Sequence, residues 1–249
     1  MQEIRILPLL GIPEINDGDD VALCIAKAVR KAGLVIDPGD VVVLAHKIVS
    51  KAEGRVKALS DVKPSSRAQR WANEWGKDAR LVELILRESQ HIVRMERGIL
   101  ISETHQGQIC ANAGIDISNV QEEHAVLLPQ DPDTSARKIR QRLKSILRVD
   151  VAVIITDSFG RPWRVGQTNV AIGVAGMNPL TDHRGTMDSF HRELEGSILA
   201  SADELAAAAE LVMGKSEKIP VALVKGFGYE TREGTGKDLL RPPEEDLFR

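Results

Sequence analysis

The run from Val151 to Gly176, VAVIITDSFGRPWRVGQTNVAIGVAG, constrains this chain more than any other. Val151 to Thr156 are all apolar or β-branched, which predicts a strand buried on both faces. Gly160 and Pro162 are breakers, so the strand is expected to stop at Asp157-Ser158. Arg161 and Arg164 follow at once, and Thr168 to Ala175 reads as a second apolar strand. A carboxylate closing a buried strand, with two guanidinium groups behind it, suits a hard cation that carries phosphate. The same residues also suit a turn-forming Asp with two solvated arginines.

The remaining segments read in order. Ile4 to Leu10 is a short strand, and Asp19 to Ala32 an amphipathic helix opened by acids and closed by Gly33. Asp40 to Ser50, DVVVLAHKIVS, reads as an apolar strand that turns polar at His46 and Lys47. Ser65 to Met95 reads as helical with a break at Gly76. Ile99 to Ser102 and Gln108 to Asn112 form a hairpin across Gly107. Asn112 to Asn119 is a polar loop, His124 to Leu128 a short strand and Asp131 to Leu147 a basic helix. Beyond an irregular region around Arg184-Gly185, Glu195 to Leu199 reads as a strand. Asp203 to Met213 is a helix, Ile219 to Gly226 a last buried strand, and the chain from Gly234 on is loop. Strands and helices mix without strict βαβα order, which predicts an α+β fold rather than a doubly wound sheet. A composition change near Gly98 marks a possible boundary within a single unit spanning 1–249.

Bulk properties exclude several classes. Acids and bases are interleaved at a net charge of −3, so no basic stripe speaks for nucleic acid. Aromatic residues make up only 3%, too few for stacking platforms. No cationic, apolar leader opens the sequence, and no apolar run approaches the length of a membrane span. Cys24 and Cys110 are isolated thiols, as expected of a reducing cytoplasm. HRELE at His191 is not HExxH, and GTGKD at Gly234 lacks both the glycine spacing and the hydroxyl of a P-loop.

Four polar groups follow apolar strands or helices, where functional side chains collect. They are His46, Lys47, Ser50 and Lys51; Asn112, Asp116, Ser118 and Asn119; Asp157, Ser158, Arg161 and Arg164; and Met213, Gly214, Lys215 and Ser216. Asp116 and Asp157, on separate loops, are what a two-cation phosphoryl-transfer site requires, with Lys51 as a point charge for phosphate. Each has a plainer alternative. Lys51 suits a solvated turn, His46 a satisfied core histidine, and Asp116 an Asx-turn or helix cap.

LPLLGIPEI, DVVVLAHKIVSKAEGR, ICANAGIDISNV, LLPQDPDTSARKIR, VIITDSFGRPWRVGQTNVAIG, ADELAAAAELVMGK and IPVALVKGFG occur here in one order. Together they resemble the coenzyme F(420)-0:L-glutamate ligases, the F(420) γ-glutamyl ligase family, from about Ile4 to Gly228. SKAEGR, NAGIDxSNV and ITDxxGRxWR in one chain form a specific combination. The resemblance is to the stand-alone form, without a fused nitroreductase-like domain.

The resemblance implies two intertwined α+β lobes and a homodimer. It implies a cytoplasmic enzyme that uses GTP, with two divalent ions, manganese or magnesium, and potassium. It would join L-glutamate to the lactyl carboxylate of F(420)-0, then add a further glutamate by γ-linkage, releasing GDP and phosphate. The family's metal positions fall on Asp116, Asp157 and Ser158. Its nucleotide positions fall on Ile12, Pro13, Glu14 and Ile15, on His46, Lys47, Lys51 and Asn119, and on the loop from Leu211 to Lys218, which holds Met213, Gly214, Lys215 and Ser216. His46-Lys47 stands where some archaeal relatives carry small hydroxyl residues. A clamp role for Arg161 and Arg164 comes from guanidinium geometry alone. Two other classes share these features: a metal-dependent phosphohydrolase and a non-catalytic nucleotide-binding module.

Overall fold

The computed structural model describes residues 3 to 247. Strand β1 (Arg5–Pro8) leads to helix α1 (Val21–Lys31), whose N-cap Asp20 accepts a hydrogen bond from the Leu23 amide. Strand β2 (Val41–Ala45) passes directly into helix α2 (His46–Ala52). An excursion follows: β3 (Val56–Ala58), α3 (Ser66–Trp75), α4 (Ala79–Glu88), β4 (Ser89–Glu96), β5 (Ile99–Thr104), β6 (Ile109–Ala111) and β7 (His124–Val126). The chain returns through α5 (Pro132–Leu147) to β8 (Ala152–Arg161) and β9 (Arg164–Ala175). It closes with β10 (Thr181–Asp182), β11 (Ile198–Leu199), α6 (Ser201–Met213) and β12 (Val221–Lys225).

The main sheet has the order β1-β12-β2-β8-β9, with β2 and β8 parallel and the other neighbours antiparallel. Its strands are apolar on both faces because both faces are covered. Val42, Leu44, Val153 and Ile155 pack with Ile25, Val29, Ile139 and Leu143 of α1 and α5. Their neighbours one residue along, Val41, Val43, Ala152 and Ile154, face Leu205, Ala206, Ala209 and Met213 of α6. This period of two is the strand geometry itself. The alanines of α6 let the helix lie close to the sheet. Each fully buried aliphatic side chain contributes about 1.5–3 kcal/mol. At Gly173 a Cβ would stand 2.5 Å from the Pro132 carbonyl oxygen, so α5 starts against bare backbone of β9.

The excursion has its own core, which includes Leu59, Val82, Leu84, Ile85, Leu100, Ile115 and Leu127. Here β3 pairs with β7, and β4-β5-β6 form a three-stranded sheet. Gly98, the expected boundary, sits in the turn between β4 and β5. The architecture is α+β with mixed sheets, as expected.

The strand expected over Glu195 to Leu199 is confined to Ile198–Leu199, the one expected from Thr168 starts at Arg164, and three further elements differ more deeply. Helix was expected through Met95, but it ends at Glu88, and β4 pairs with β5. Arg97 and Gly98 have φ of 52° and 73°, the positive-φ pair of a tight hairpin turn, which overrides the helical spacing. Strand was expected through Ser50, but it ends at Ala45. From His46 on, Ile48, Val49 and Ala52 bury one helical side, and His46 meets Ser50 one turn later. The strand expected to stop before Asp157 runs on to Arg161, because Pro162 and Trp163 form the turn of a long hairpin. Gly160 lies within its paired arms and breaks neither.

Candidate active site

The parallel pair β2 and β8 brings Ala45 opposite Thr156; beyond that point the chain after β2 turns into α2, while β8 runs on paired with β9 alone. In open sheets, the space beyond the carboxyl ends of parallel strands is the usual ligand crevice. A cavity of about 840 Å³ lies there. Its walls are Ile12 to Ile15, the start of α2, the loop around Asp116, the middle of the β8–β9 hairpin, the end of α6 and the loop to Pro220.

Helix α2 sets the first wall. Lys47 and Lys51, one turn apart, both line the cavity. Lys47 Nζ lies 2.7 Å from Asp116 Oδ2 and donates to Ser118 Oγ at 2.7 Å. Lys51 Nζ lies 2.5 Å from Glu14 Oε1. His46 is 2% exposed; its Nδ1 is 3.3 Å from Ser50 Oγ and its Nε2 is 3.3 Å from Asp157 Oδ1. That second approach is close enough for attraction between charges but is not aligned as a hydrogen bond, and Nε2 makes no other.

Asp116 is fixed by strand-like pairing. Its amide donates to the Val126 carbonyl and its own carbonyl accepts from the Val126 amide. Its carboxylate accepts from the Ser118 amide and hydroxyl, an Asx-turn that leaves it facing the cavity. Burial pushes its pKa up, but the hydrogen bonds from Lys47 and Ser118 outweigh burial and hold it below the ordinary value. Asp157 lies mid-strand, paired with Val170, just past a register shift between Ile155 and Thr156. Such bulges turn side chains at sites. Its Oδ1 accepts from the Ser158 amide at 2.7 Å.

A polar chain runs across the floor. Ser158 Oγ donates to Asn169 Oδ1 at 2.6 Å, and Asn169 Nδ2 donates to Glu210 Oε2 at 2.8 Å. Lys215 donates to Ser158 Oγ and pairs with Glu210 at 3.3 Å.

The cavity therefore gathers Ile12, Pro13, Glu14, Ile15, His46, Lys47, Lys51, Asp116, Asn119, Asp157, Ser158, Met213, Gly214, Lys215 and Ser216. It does not include Arg161 and Arg164, which pair with each other at the exposed tip of the β8–β9 hairpin. Arg161 Nη2 donates to the Val165 carbonyl there. Lys218, the end of the expected nucleotide loop, lines it too, and sequence reasoning missed Thr156, Gln167, Asn169 and Glu210, which also line it. Gln167 and Asn169 share a face of β9 by the period of two. Glu210, an acid in the last turn of an alanine-rich helix, was the available signal.

Among the described residues, no three His, Cys, Asp or Glu side chains gather as a self-sufficient metal site. The donors present fit a cation whose remaining ligands come from a substrate: the carboxylates of Asp116 and Asp157, the hydroxyl of Ser158 and the unpartnered buried nitrogen of His46. Hard divalent cations bound with phosphate use few protein carboxylates. The volume falls within the range of small-molecule and cofactor sites.

Fold and site together define an α+β protein with a nucleotide-sized, charge-lined cleft at a sheet edge. The sequence profile of the F(420)-0:γ-glutamyl ligase family matches residues 10–226, and the chain belongs to that family. It is 45% identical over 249 residues to the coenzyme F(420):L-glutamate ligase of Methanothermobacter thermautotrophicus, covering 99% of each chain. The protein of the same name from Methanocaldococcus jannaschii is 43% identical over 252 residues, covering 100% of this chain and 99% of the other. That from Archaeoglobus fulgidus is 39% identical over 247 residues, covering 99% and 96%. No helix among the described residues is long and apolar enough to cross a membrane.

Proposed function

We propose that the cavity joins L-glutamate to the lactyl carboxylate of F(420)-0 using GTP, and adds further glutamate by γ-linkage. The observation that carries this reading is the ring of Lys47, Lys51 and Lys215 interleaved with Asp116, Asp157 and Glu210 around one cleft, in a chain of this ligase family.

The lysines give point charges for the nucleotide's phosphates. Lys51, held by the exposed Glu14 carboxylate, exchanges that partner for phosphate oxygen. The acceptor carboxylate oxygen attacks the γ-phosphorus; the bond to the β-bridging oxygen breaks, giving GDP and an acyl phosphate. The glutamate amine then attacks the acyl carbon and phosphate leaves. Asp116, Asp157 and Ser158 would hold manganese or magnesium, which neutralises charge developing on the transferred phosphoryl group. Potassium belongs to the same proposal through the family resemblance alone.

A homodimer is part of the proposal. Trp163 and Val165 at the hairpin tip are 81% and 100% exposed, and Phe190 is 77% exposed; large apolar surface of this kind suits a second copy.

The deciding assay is GDP release from GTP and F(420)-0 with manganese, with and without glutamate, and mass spectrometry of the products. Glutamate-dependent GDP with a mass gain of one or more glutamyl units is the expected result. GDP release indifferent to glutamate indicates a phosphohydrolase, and binding without turnover a nucleotide-binding module.

A further inference from the structure

The nucleotide assignment of His46 leaves its geometry unexplained. The imidazole is buried at 2% exposure inside the wall of the cleft, where a phosphate contact would ask for an exposed donor. Ser50, fully buried one helical turn on, stands against Nδ1 and fixes the ring. That leaves Nε2 on the Asp157 side, buried and without a hydrogen bond.

Nε2 and Asp157 Oδ1 are 3.3 Å apart, yet they form no hydrogen bond, and with the ring proton on Nδ1 toward Ser50 both are acceptors. Two acceptors at that separation repel unless positive charge lies between them. Two ligands at right angles on one octahedral cation, with bonds of about 2.1–2.2 Å, stand roughly 3.0–3.1 Å apart. Their lone pairs then aim at a common third point rather than at each other. The 3.3 Å spacing is close to that arrangement, and no hydrogen bond between the two atoms competes with it.

We infer that His46 Nε2 is a ligand of the divalent cation held by Asp157, with Ser50 as its positioning residue. The inference rests on the reading that Asp157 binds such a cation. An imidazole in an otherwise oxygen shell favours a transition metal over magnesium, because magnesium takes oxygen ligands and holds its waters. The site is thereby biased to manganese among the two candidate ions. A histidine that fixes its ring through one nitrogen and binds metal through the other follows the usual pattern of such ligands.

The test is pulsed electron paramagnetic resonance on the full protein with Mn²⁺, with and without GTP. Two preparations are compared, one with natural histidine and one with histidine carrying ¹⁵N in its ring. His46 is the one histidine lining the cavity among the described residues. Expected is ¹⁴N modulation that converts to ¹⁵N on labelling and disappears in His46→Ser and His46→Gln. Labelled wild-type protein needs no substitution, so a variant that fails to fold does not spoil the test. His46→Ser should also lower the preference for Mn²⁺ over Mg²⁺ by about tenfold or more in direct binding. Bound Mn²⁺ that Asp157→Asn releases but that shows no imidazole coupling overturns the inference and leaves the cation at Asp157 standing. Coupling that survives His46→Ser also overturns it. No Mn²⁺ binding with or without GTP overturns the cation reading itself, and this inference with it.

Discussion

Lys47 Nζ lies 2.7 Å from Asp116 Oδ2 and thereby ties the first turn of α2 to a loop 69 positions further along the chain, at the mouth of the cleft. The pair is partly exposed, so it contributes little to stability, about 0.2–1 kcal/mol. Its weight lies in presenting a carboxylate that stays ionised. Asp116→Asn keeps the shape and the Ser118 amide contact but removes the charge. Glutamate-dependent GDP formation should fall by about 10²-fold or more if Asp116 steadies charge in the transition state. Near-wild-type turnover at saturating manganese would return Asp116 to a purely local Asx-turn.

Asp157→Asn should cause a loss of similar size, for a different structural reason. Asp157 sits inside a paired strand, so a turn-forming role is no longer open to it. The double variant should lose little beyond either single one, since groups acting as one unit are not additive. Multiplying losses in the double variant would argue that the two carboxylates serve separate steps.

Lys51 and Glu14 allow a sharper distinction. Lys51→Ala should weaken GTP binding by about 1–3 kcal/mol in calorimetry, the range for a charge-assisted hydrogen bond. Glu14→Gln removes the competing anion and should leave binding equal or tighter. Equal weakening by both variants would mean that the ion pair, not the lysine, shapes the nucleotide site.

How far the sequence disclosed this site depends on what kind of signal each residue leaves. Lys51 and Asp116 follow apolar strands or border polar loops, and their positions were readable from punctuation and family resemblance. Asp157 was found, but with the wrong local structure. Gly160 and Pro162 read as terminators when they belong to the end of a hairpin, and only the partner strand β9 reveals this. His46 was read at the end of a strand, whereas α2 starts at that residue. A seven-residue helix is too short for its apolar spacing to outweigh the run Val41 to Leu44. Asn169 and Glu210 meet across 41 positions of sequence, a contact that no local pattern encodes.

The two thiols give a simple check on the packing. Burial, and secondarily the Asp157 charge, push the Cys110 thiol up to about 12, and burial also raises Cys24. A thiol reagent at pH 8 should react slowly with both in the native state, because little thiolate forms. Fast stoichiometric labelling of Cys110 would show that β6 does not pack against β8 as described.

Light scattering should report a dimer mass for the pure protein, and Val165→Asp, at the fully exposed hairpin tip, should shift it toward monomer. A concentration-independent monomer mass in the wild type would remove the second copy from the proposal.

Asp133, in the first turn of α5, offers a test of the fold that does not touch the cleft. The residue is buried, and Oδ1 accepts from the Val174 amide at 2.9 Å and the Gly236 amide at 2.6 Å. One carboxylate oxygen thus ties α5, β9 and the C-terminal segment together. Burial raises its pKa, and the two amide hydrogen bonds only partly offset this. A carboxyl whose folded pKa exceeds its unfolded value, about 3.9, binds more protons folded than unfolded between those values. Its contribution to stability therefore falls as pH rises through that window and is flat on either side. Asp133→Asn keeps the accepting oxygen and removes the titration. Urea unfolding at a series of pH values should show the Asn variant gaining on wild type as pH rises from below about 4, then holding a constant difference. Asp133→Ala leaves two buried amides without an acceptor and should cost about 1–3 kcal/mol or more at every pH. A stability difference between the Asn variant and wild type that does not change across the window, or that moves the other way, would mean that Asp133 is not held in this buried, amide-bound position.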